Sequence, residues 1–95
     1  MSFKIERLVG GEGIVVFRVS GRIHAGHVDT LRELLGQEKG GVALDLREIT
    51  LVDREAVRFL DLSEANGVDL RNCAAYIREW INKERRHKKA DRSDP

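Results

Sequence analysis

The sequence predicts an α/β domain in which helices pack against a four-stranded mixed sheet, in the element order β-β-α-β-α-β-α. Two β-rich runs joined by a glycine-rich stretch open the chain, which indicates a hairpin. Beyond residue 24 the apolar spacing becomes helical three times, and a short apolar or alternating segment separates the helices. Strands separated by helices are typical of parallel pairs with right-handed crossovers. Together with the hairpin, such pairs give a mixed sheet.

The predicted hairpin occupies the first 21 residues. "FKIERLV" (3–9) alternates, with Phe3, Ile5 and Arg7 on one face. "GGEG" (10–13) is a turn, because glycine accepts positive φ angles. "IVVFRVSG" (14–21) is too apolar for a strand with one solvated face, so we expect it inside the sheet.

A helix and a buried strand should follow the hairpin. "AGHVDTLRELLGQEKGG" (25–41) has helical spacing and should stop near Gly36 or at the glycines 40 and 41. Its expected core face consists of Val28, Leu31, Leu34 and Leu35. "VALDL" (42–46) is nearly all apolar, which favours a buried parallel strand, and Arg47 to Thr50 are expected to form a connection.

Two more helices flank a last strand. The second helix should run from Asp53 to Asn66, where Asn-Gly is a good stop. Its apolar face comprises Ala56, Val57, Phe59, Leu60 and Ser63. "VDLRN" (68–72) alternates as a strand. The third helix places four large side chains on one face, which are Tyr76, Ile77, Trp80 and Ile81. Tyr76 and Trp80 could complete the core or form a dimer patch, and the core is the favoured interpretation.

Composition limits the classes of function. The 95 residues suffice for one modest core, and the net charge of +1 offers no overall field for nucleic acid or an acidic membrane. One cysteine, no membrane-length apolar run and no signal-peptide pattern favour a cytoplasmic protein. The stretch "KERRHKKADRSDP" (83–95) has six Lys/Arg against three Asp/Glu and no aromatic residue. We expect a flexible basic tail there, after a domain at 1–82, and no nucleic-acid binding.

Catalytic or cofactor-binding constellations are scarce. His24 and His27 could bind a metal, but no second cluster of ligands supports them. Cys73 has no base near it in sequence, and the glycines of 10–13 join two strands rather than opening a helix that could hold a phosphate. Asp45 lies within a buried strand and needs a hydrogen-bond partner. The sequence therefore predicts no enzyme, no metal and no cofactor.

Three charged residues at the start of the second helix need an explanation. Asp53 fits an N-cap, and Glu55 suits the positive end of the helix. Arg54 is unfavourable in a first turn, so it must point away or be held by another group. The spacing alone does not distinguish a cap with solvated neighbours from a functional site.

The order of elements and three local motifs resemble the STAS domain, the fold of bacterial anti-sigma factor antagonists. In that pattern a strand ends in Asp-Leu-Ser, and a hydrophobic residue and an aspartate precede a helix. Here Leu44-Asp45-Leu46 match the first part and Val52-Asp53 the second. Gly67 followed by Val68-Asp69-Leu70 matches the glycine that leads into the next strand. The resemblance covers about residues 3 to 82 and implies a STAS-like fold.

The resemblance also implies a function and a departure from it. In the family, the residue after the motif aspartate is a serine or threonine that a partner kinase phosphorylates. That position is Arg54 here, which has no hydroxyl, and Glu55 and Ala56 replace the usual small residues. We therefore expect a signalling module of the anti-sigma factor antagonist type that works without this phosphorylation. The expected partner-binding residues are Asp53, Arg54, Glu55, Val57, Arg58, Arg22 and His24.

Two other functions stay open at this point. STAS domains also occur as accessory parts of membrane transport systems, and the basic tail would then lie near acidic lipid. Family members have also been linked to nucleotides, although no phosphate-binding loop is evident here. The expected partner is a protein, either an anti-sigma factor or kinase-like regulator or a transport subunit, without membrane insertion. A homodimer is possible.

Overall fold

Seven regular elements make up the chain in a computed structural model, which describes residues 3–10 and 13–93, with side chains to residue 86. They are β1 (Lys4–Val9), β2 (Val15–Ile23), α1 (Ala25–Gly36), β3 (Val42–Val52), α2 (Arg54–Ala65), β4 (Asp69–Arg71) and α3 (Ala75–Ser93). Residues 11 and 12 of the expected glycine turn lie outside the described residues. The predicted element order is confirmed.

The four strands form one mixed sheet in the order β1-β2-β3-β4. β1 pairs antiparallel with β2, while β2–β3 and β3–β4 are parallel pairs. Each parallel pair is joined through a helix, α1 or α2, as such connections require. The predicted fold class is therefore confirmed.

The third strand is longer than the sequence indicated. The expected connection from Arg47 to Thr50 was wrong, because these residues continue β3 alongside the end of β2. The pairing register shifts twice, once between Arg18 and Ser20 and once between Gly21 and Arg22. At each shift β3 contributes one residue more than β2, which is the arrangement of a β-bulge. The bulges interrupt the alternation of polar and apolar residues, so this part of the strand has no period-two pattern.

The apolar faces predicted for α1 and α2 line a single core. α1 packs on β2 and α2, and α2 lies between α1 and α3. The largest fully buried side chains are Phe17, Ile23, Leu31, Leu44, Leu46, Leu60, Ile77 and Ile81. Val28 and Leu31 of α1 are buried, and Leu34 and Leu35 pack partly against the same cluster. Burial of these side chains is the main favourable contribution to folding.

The last helix agrees with the sequence only in part. Ile77 and Ile81 are fully buried, and Trp80 packs partly against the core. Tyr76 is 48% exposed, so its placement in the core was wrong. The Tyr76 ring sits at the rim, where its hydroxyl lies 3.5 Å from the Thr50 carbonyl oxygen.

Ion pairs hold α3 against α2, and some of them involve residues after position 82, where the tail is expected to start. Arg78 donates two hydrogen bonds to the Glu64 carboxylate, at 2.8 and 2.9 Å. Arg85 donates to Asp61 at 2.9 Å and to Glu64 at 3.0 Å. These contacts hold the pKa of Glu64 below its ordinary value, chiefly through the Arg78 hydrogen bond. Flexibility of the remaining tail stays a prediction, since side chains from residue 87 onward lie outside the described residues.

Candidate functional site

Asp53 joins the starts of two helices. One carboxylate oxygen, Oδ1, accepts a hydrogen bond from the Ala56 N–H of α2 at 2.9 Å. The other, Oδ2, accepts from the Ala25 N–H at the start of α1 at 3.0 Å. The Asp53 N–H itself donates to the Ile23 carbonyl at the end of β2. The N-cap prediction is confirmed, and one side chain also fixes α1 and α2 relative to each other.

Two histidines form the rest of the α1 cap. The Gly26 N–H donates to His24 Nδ1 at 3.2 Å, and the His24 N–H faces His27 Nδ1 at 3.4 Å. The His27 ring stacks on Phe3, with ring centroids 3.7 Å apart and an interplanar angle of 7°. Desolvation by burial lowers the pKa of His27, and the neighbouring His24 lowers it further. Each ring thus accepts one hydrogen bond at its Nδ1 from the backbone at the helix start.

A metal site at these histidines has no further support. A pair of histidines needs at least one more ligand for a stable Zn²⁺ site. Within residues 3–10 and 13–86, no three histidine, cysteine, aspartate or glutamate side chains are grouped so that they could hold an ion.

Arg54 is held by a residue that the sequence analysis missed. Its Nε lies 3.3 Å from a carboxylate oxygen of Glu84 on α3, and the Arg58 Nε lies 3.6 Å from the other oxygen. Arg58 also lies 3.7 Å from Glu55. Glu84 thus neutralises a cation that would be unfavourable at the start of α2. Arg54 in a first turn was a signal that a carboxylate should lie nearby, but the sequence spacing did not reveal which one.

The expected partner-binding residues fall into three groups. Asp53 and His24 meet at the two helix starts, where they serve as caps. Arg54, Glu55 and Arg58 are exposed and linked through ion pairs. Arg22 and Val57 form the third group.

Arg22 and Val57 differ from the rest. Arg22 is exposed near the end of β2, one residue before the Ile23 carbonyl that binds Asp53. Val57 is fully buried in the core and offers no surface. Its inclusion among the partner contacts was wrong, because residue 57 turns inward with Ala56 and Leu60. We call the exposed group Arg22, Arg54, Glu55 and Arg58 the α2-start surface.

Asp45 and Cys73 have structural explanations. The Asp45 Oδ1 accepts from the Asn72 side-chain amide at 3.0 Å and from the Arg47 N–H at 3.1 Å. These bonds, the Asn72 bond first, lower the pKa of Asp45. The carboxylate thereby anchors the residue after β4, where Asn72 has a φ of 57°. Burial raises the pKa of the Cys73 thiol, which leaves it a poor nucleophile.

A groove of about 480 Å³ lies at the other end of α1 and α2, away from the α2-start surface. Its lining includes Leu35, Gly36, Phe59, Leu62 and Gly67. Gly36 and Gly67 mark the C-terminal ends of α1 and α2, where helix dipoles are negative. These helix ends are unfavourable for a phosphate group, whereas the Arg32 guanidinium in the same lining is favourable for one.

Comparisons with known proteins find solved structures that share this architecture. No family model and no curated protein matches the sequence. A solved structure of an anti-sigma factor antagonist STAS domain from Rhodobacter sphaeroides superposes with a TM-score of 0.55 at 18% identity, covering 73% of this chain and 83% of that one. The anti-sigma factor antagonist SpoIIAA in its unphosphorylated form gives 0.60 at 18%, covering 85% and 82%. This chain has the STAS-domain fold.

A third similar structure shows the fold inside a longer chain. The protein Mglu superposes with a TM-score of 0.53 at 22% identity, covering 72% of this chain but only 18% of its own. At these identities the likeness concerns the fold and not the site residues. None of the described helices of this STAS-fold chain combines the length and the apolar character that crossing a bilayer demands.

Proposed function

We propose that this STAS-fold chain is a protein-interaction module of the anti-sigma factor antagonist type, which docks a regulatory protein on the α2-start surface. The observation that carries the proposal is the exposed group Arg54 and Arg58 on a helix start that Asp53 holds rigidly. A fixed backbone with exposed charged side chains suits recognition, because little order has to be gained on binding. Similarity to two anti-sigma factor antagonists supports the type of module.

The proposed module is not regulated by phosphorylation at residue 54, so we propose that it binds constitutively. Arg54 stands where the resemblance places a phosphorylated serine or threonine, and its guanidinium is paired with Glu84. A partner that reads a neutral hydroxyl would meet a permanent cation instead, so partner choice should differ from that of a phosphorylated antagonist. We further propose that the protein acts in the cytoplasm by binding and not by catalysis.

A comparative pull-down tests the proposal. The native cytoplasmic extract is passed over wild-type protein and the Arg54→Glu variant, and bound proteins are identified by mass spectrometry. The affinity of the recovered partner should fall by more than about 1 kcal/mol, or roughly fivefold, if the surface is used. Unchanged binding by Arg54→Glu would remove Arg54 from the interface, and recovery of transport subunits would replace the regulatory interpretation.

A matched control separates docking from stability. Arg54→Glu also places a second carboxylate beside Glu84, so its unfolding must be measured in parallel. Arg71→Glu is the matched charge reversal, since Arg71 has a side chain 43% exposed on β4 and pairs only with Asp69 among the described residues. We expect Arg71→Glu to bind as the wild type does.

A further inference from the structure

The outer face of α3 carries exposed aromatic surface. Tyr76, Glu79, Trp80 and Lys83 follow i, i+3, i+4 and i+7 spacing and line a shallow groove, which we call the outer stripe. Tyr76 is 48% exposed, and its hydroxyl lies near the Thr50 carbonyl. Leu51, the next residue in β3, is 52% exposed. Tyr76 is thus exposed, and Trp80, which packs partly against the core, still lines the same groove.

The charged residues of the outer stripe differ from those on the inner face of α3 in their ion pairing. Arg78, Glu84 and Arg85 all form ion pairs with α2. Glu79 and Lys83 are exposed, and neither forms an ion pair within the part of the chain whose side chains are described. One negative and one positive charge therefore flank Trp80, and neither is in an ion pair with another described side chain.

We propose that a second copy of this chain binds the outer stripe, with the two α3 helices antiparallel. Glu79 and Lys83 lie four residues apart. A two-fold axis that crosses the outer face of α3 at the level of residue 81 along the helix therefore sets Glu79 of each copy against Lys83 of the other. The axial offset on either side of the axis is about 3 Å, from a rise of about 1.5 Å per residue. The same axis brings Tyr76 of one copy to the level of the exposed Arg86 of the other, a cation–π pairing.

The symmetry identifies the occupant. A two-fold interface requires a patch that is complementary to itself, and the outer stripe meets that condition with two symmetric ion pairs around a central tryptophan. Tryptophan and tyrosine are also the residues most enriched at interface centres. The proposed interface lies on the face of α3 opposite to Arg78 and Arg85, so it leaves their ion pairs with α2 intact.

Charge reversal tests this pairing with the full-length protein. Glu79→Lys presents two lysines and Lys83→Glu two glutamates, so each variant alone should self-associate at least about tenfold more weakly than the wild type. An equimolar mixture should restore association, because every facing pair is then opposite in charge. The double variant Glu79→Lys/Lys83→Glu should dimerise as the wild type does. Sedimentation equilibrium at low ionic strength measures the wild type, the two single variants, their mixture and the double variant.

The outcomes are decisive in both directions. Recovery in the mixture and in the double variant establishes the antiparallel contact, since a partner binding elsewhere would not respond to the swap. A wild type that stays monomeric, or variants that associate as well alone as mixed, overturns it. Both substituted side chains are exposed, so equal thermal unfolding of all variants should confirm that the fold is intact.

Discussion

Replacing Asp53 with alanine should weaken the whole fold, because one carboxylate caps two helices. The change removes the acceptor of the Ala56 N–H at 2.9 Å and that of the Ala25 N–H at 3.0 Å. Loss of an N-cap costs about 0.5–2 kcal/mol, and a hydrogen bond to a charged group contributes about 1.5–3 kcal/mol. We expect the free energy of unfolding to fall by about 2–4 kcal/mol, a large fraction of the about 5–15 kcal/mol typical of a domain.

A conservative variant divides this loss between the two helices. Asp53→Asn keeps one carbonyl oxygen as an acceptor but turns an NH2 group toward the other helix start, so about 1–2 kcal/mol should be lost. Asp29→Ala is the control, because the Asp29 side chain is 90% exposed on α1 and, among the described residues, forms an ion pair only with Arg32. We expect that control to change stability by less than about 0.5 kcal/mol.

Urea unfolding followed by far-UV circular dichroism measures all three variants. At about 4–8 °C per kcal/mol for a domain of this size, Asp53→Ala should also lower the melting temperature by about 8–32 °C. The reasoning fails if Asp53→Ala unfolds at the same urea concentration as Asp29→Ala, since the two caps would then contribute nothing beyond an exposed carboxylate.

Three further predictions concern other parts of the structure. Arg85→Ala should cost about 1–2 kcal/mol, because the Asp61 side chain, only 9% exposed, loses its guanidinium; denaturant unfolding no different from wild type would show that this pair does not fasten α3. Gly67→Ala should destabilise by about 1 kcal/mol, because its φ is 102°. Gly36→Ala should stabilise slightly, because Gly36 is the last residue of α1 and a Cβ there would meet open space. The reverse order of melting temperatures would contradict this. The lowered pKa of His27 means that the unfolded chain binds its proton first, so stability should fall as the pH drops from about 6.5 through the lower folded-state pKa. The urea midpoint of the His27→Gln variant should depend less on pH across that range than the midpoint of the wild type. An equal pH dependence in the two proteins would exclude a contribution of His27 to it.

Much of the fold could be predicted because local patterns report it. The β-branched run at 14–21 and the helical spacing of Val28 and Leu31 identify both an element and its buried side. The Asp53 cap was also predictable, since its donor at Ala56 lies three residues away. These features depend on neighbours within one turn or one strand, so the amino-acid sequence is enough to predict them.

The corrections concern residues whose environment comes from elsewhere in the chain. Arg47 to Thr50 were taken for a connection because two bulges obscure the strand period. Tyr76 was assigned to the core from its large ring, although the helix turns it to the rim. Val57 lies in the core between positions that were expected at a docking surface. In each case the residue type is compatible both with the environment that the sequence predicts and with the one that the structure shows.

The order of elements, the mixed sheet and the apolar faces of the helices follow from the amino-acid sequence, because periodicity is a local property. The composition of the site depends on how the chain folds in three dimensions. The second acceptor bond of Asp53 spans 28 residues and the Arg54–Glu84 pair spans 30, and no pattern along the chain connects those positions. Such pairs exist because packing of α1, α2 and α3 around one core brings distant charges to the same helix start, where the helix dipole makes their arrangement matter.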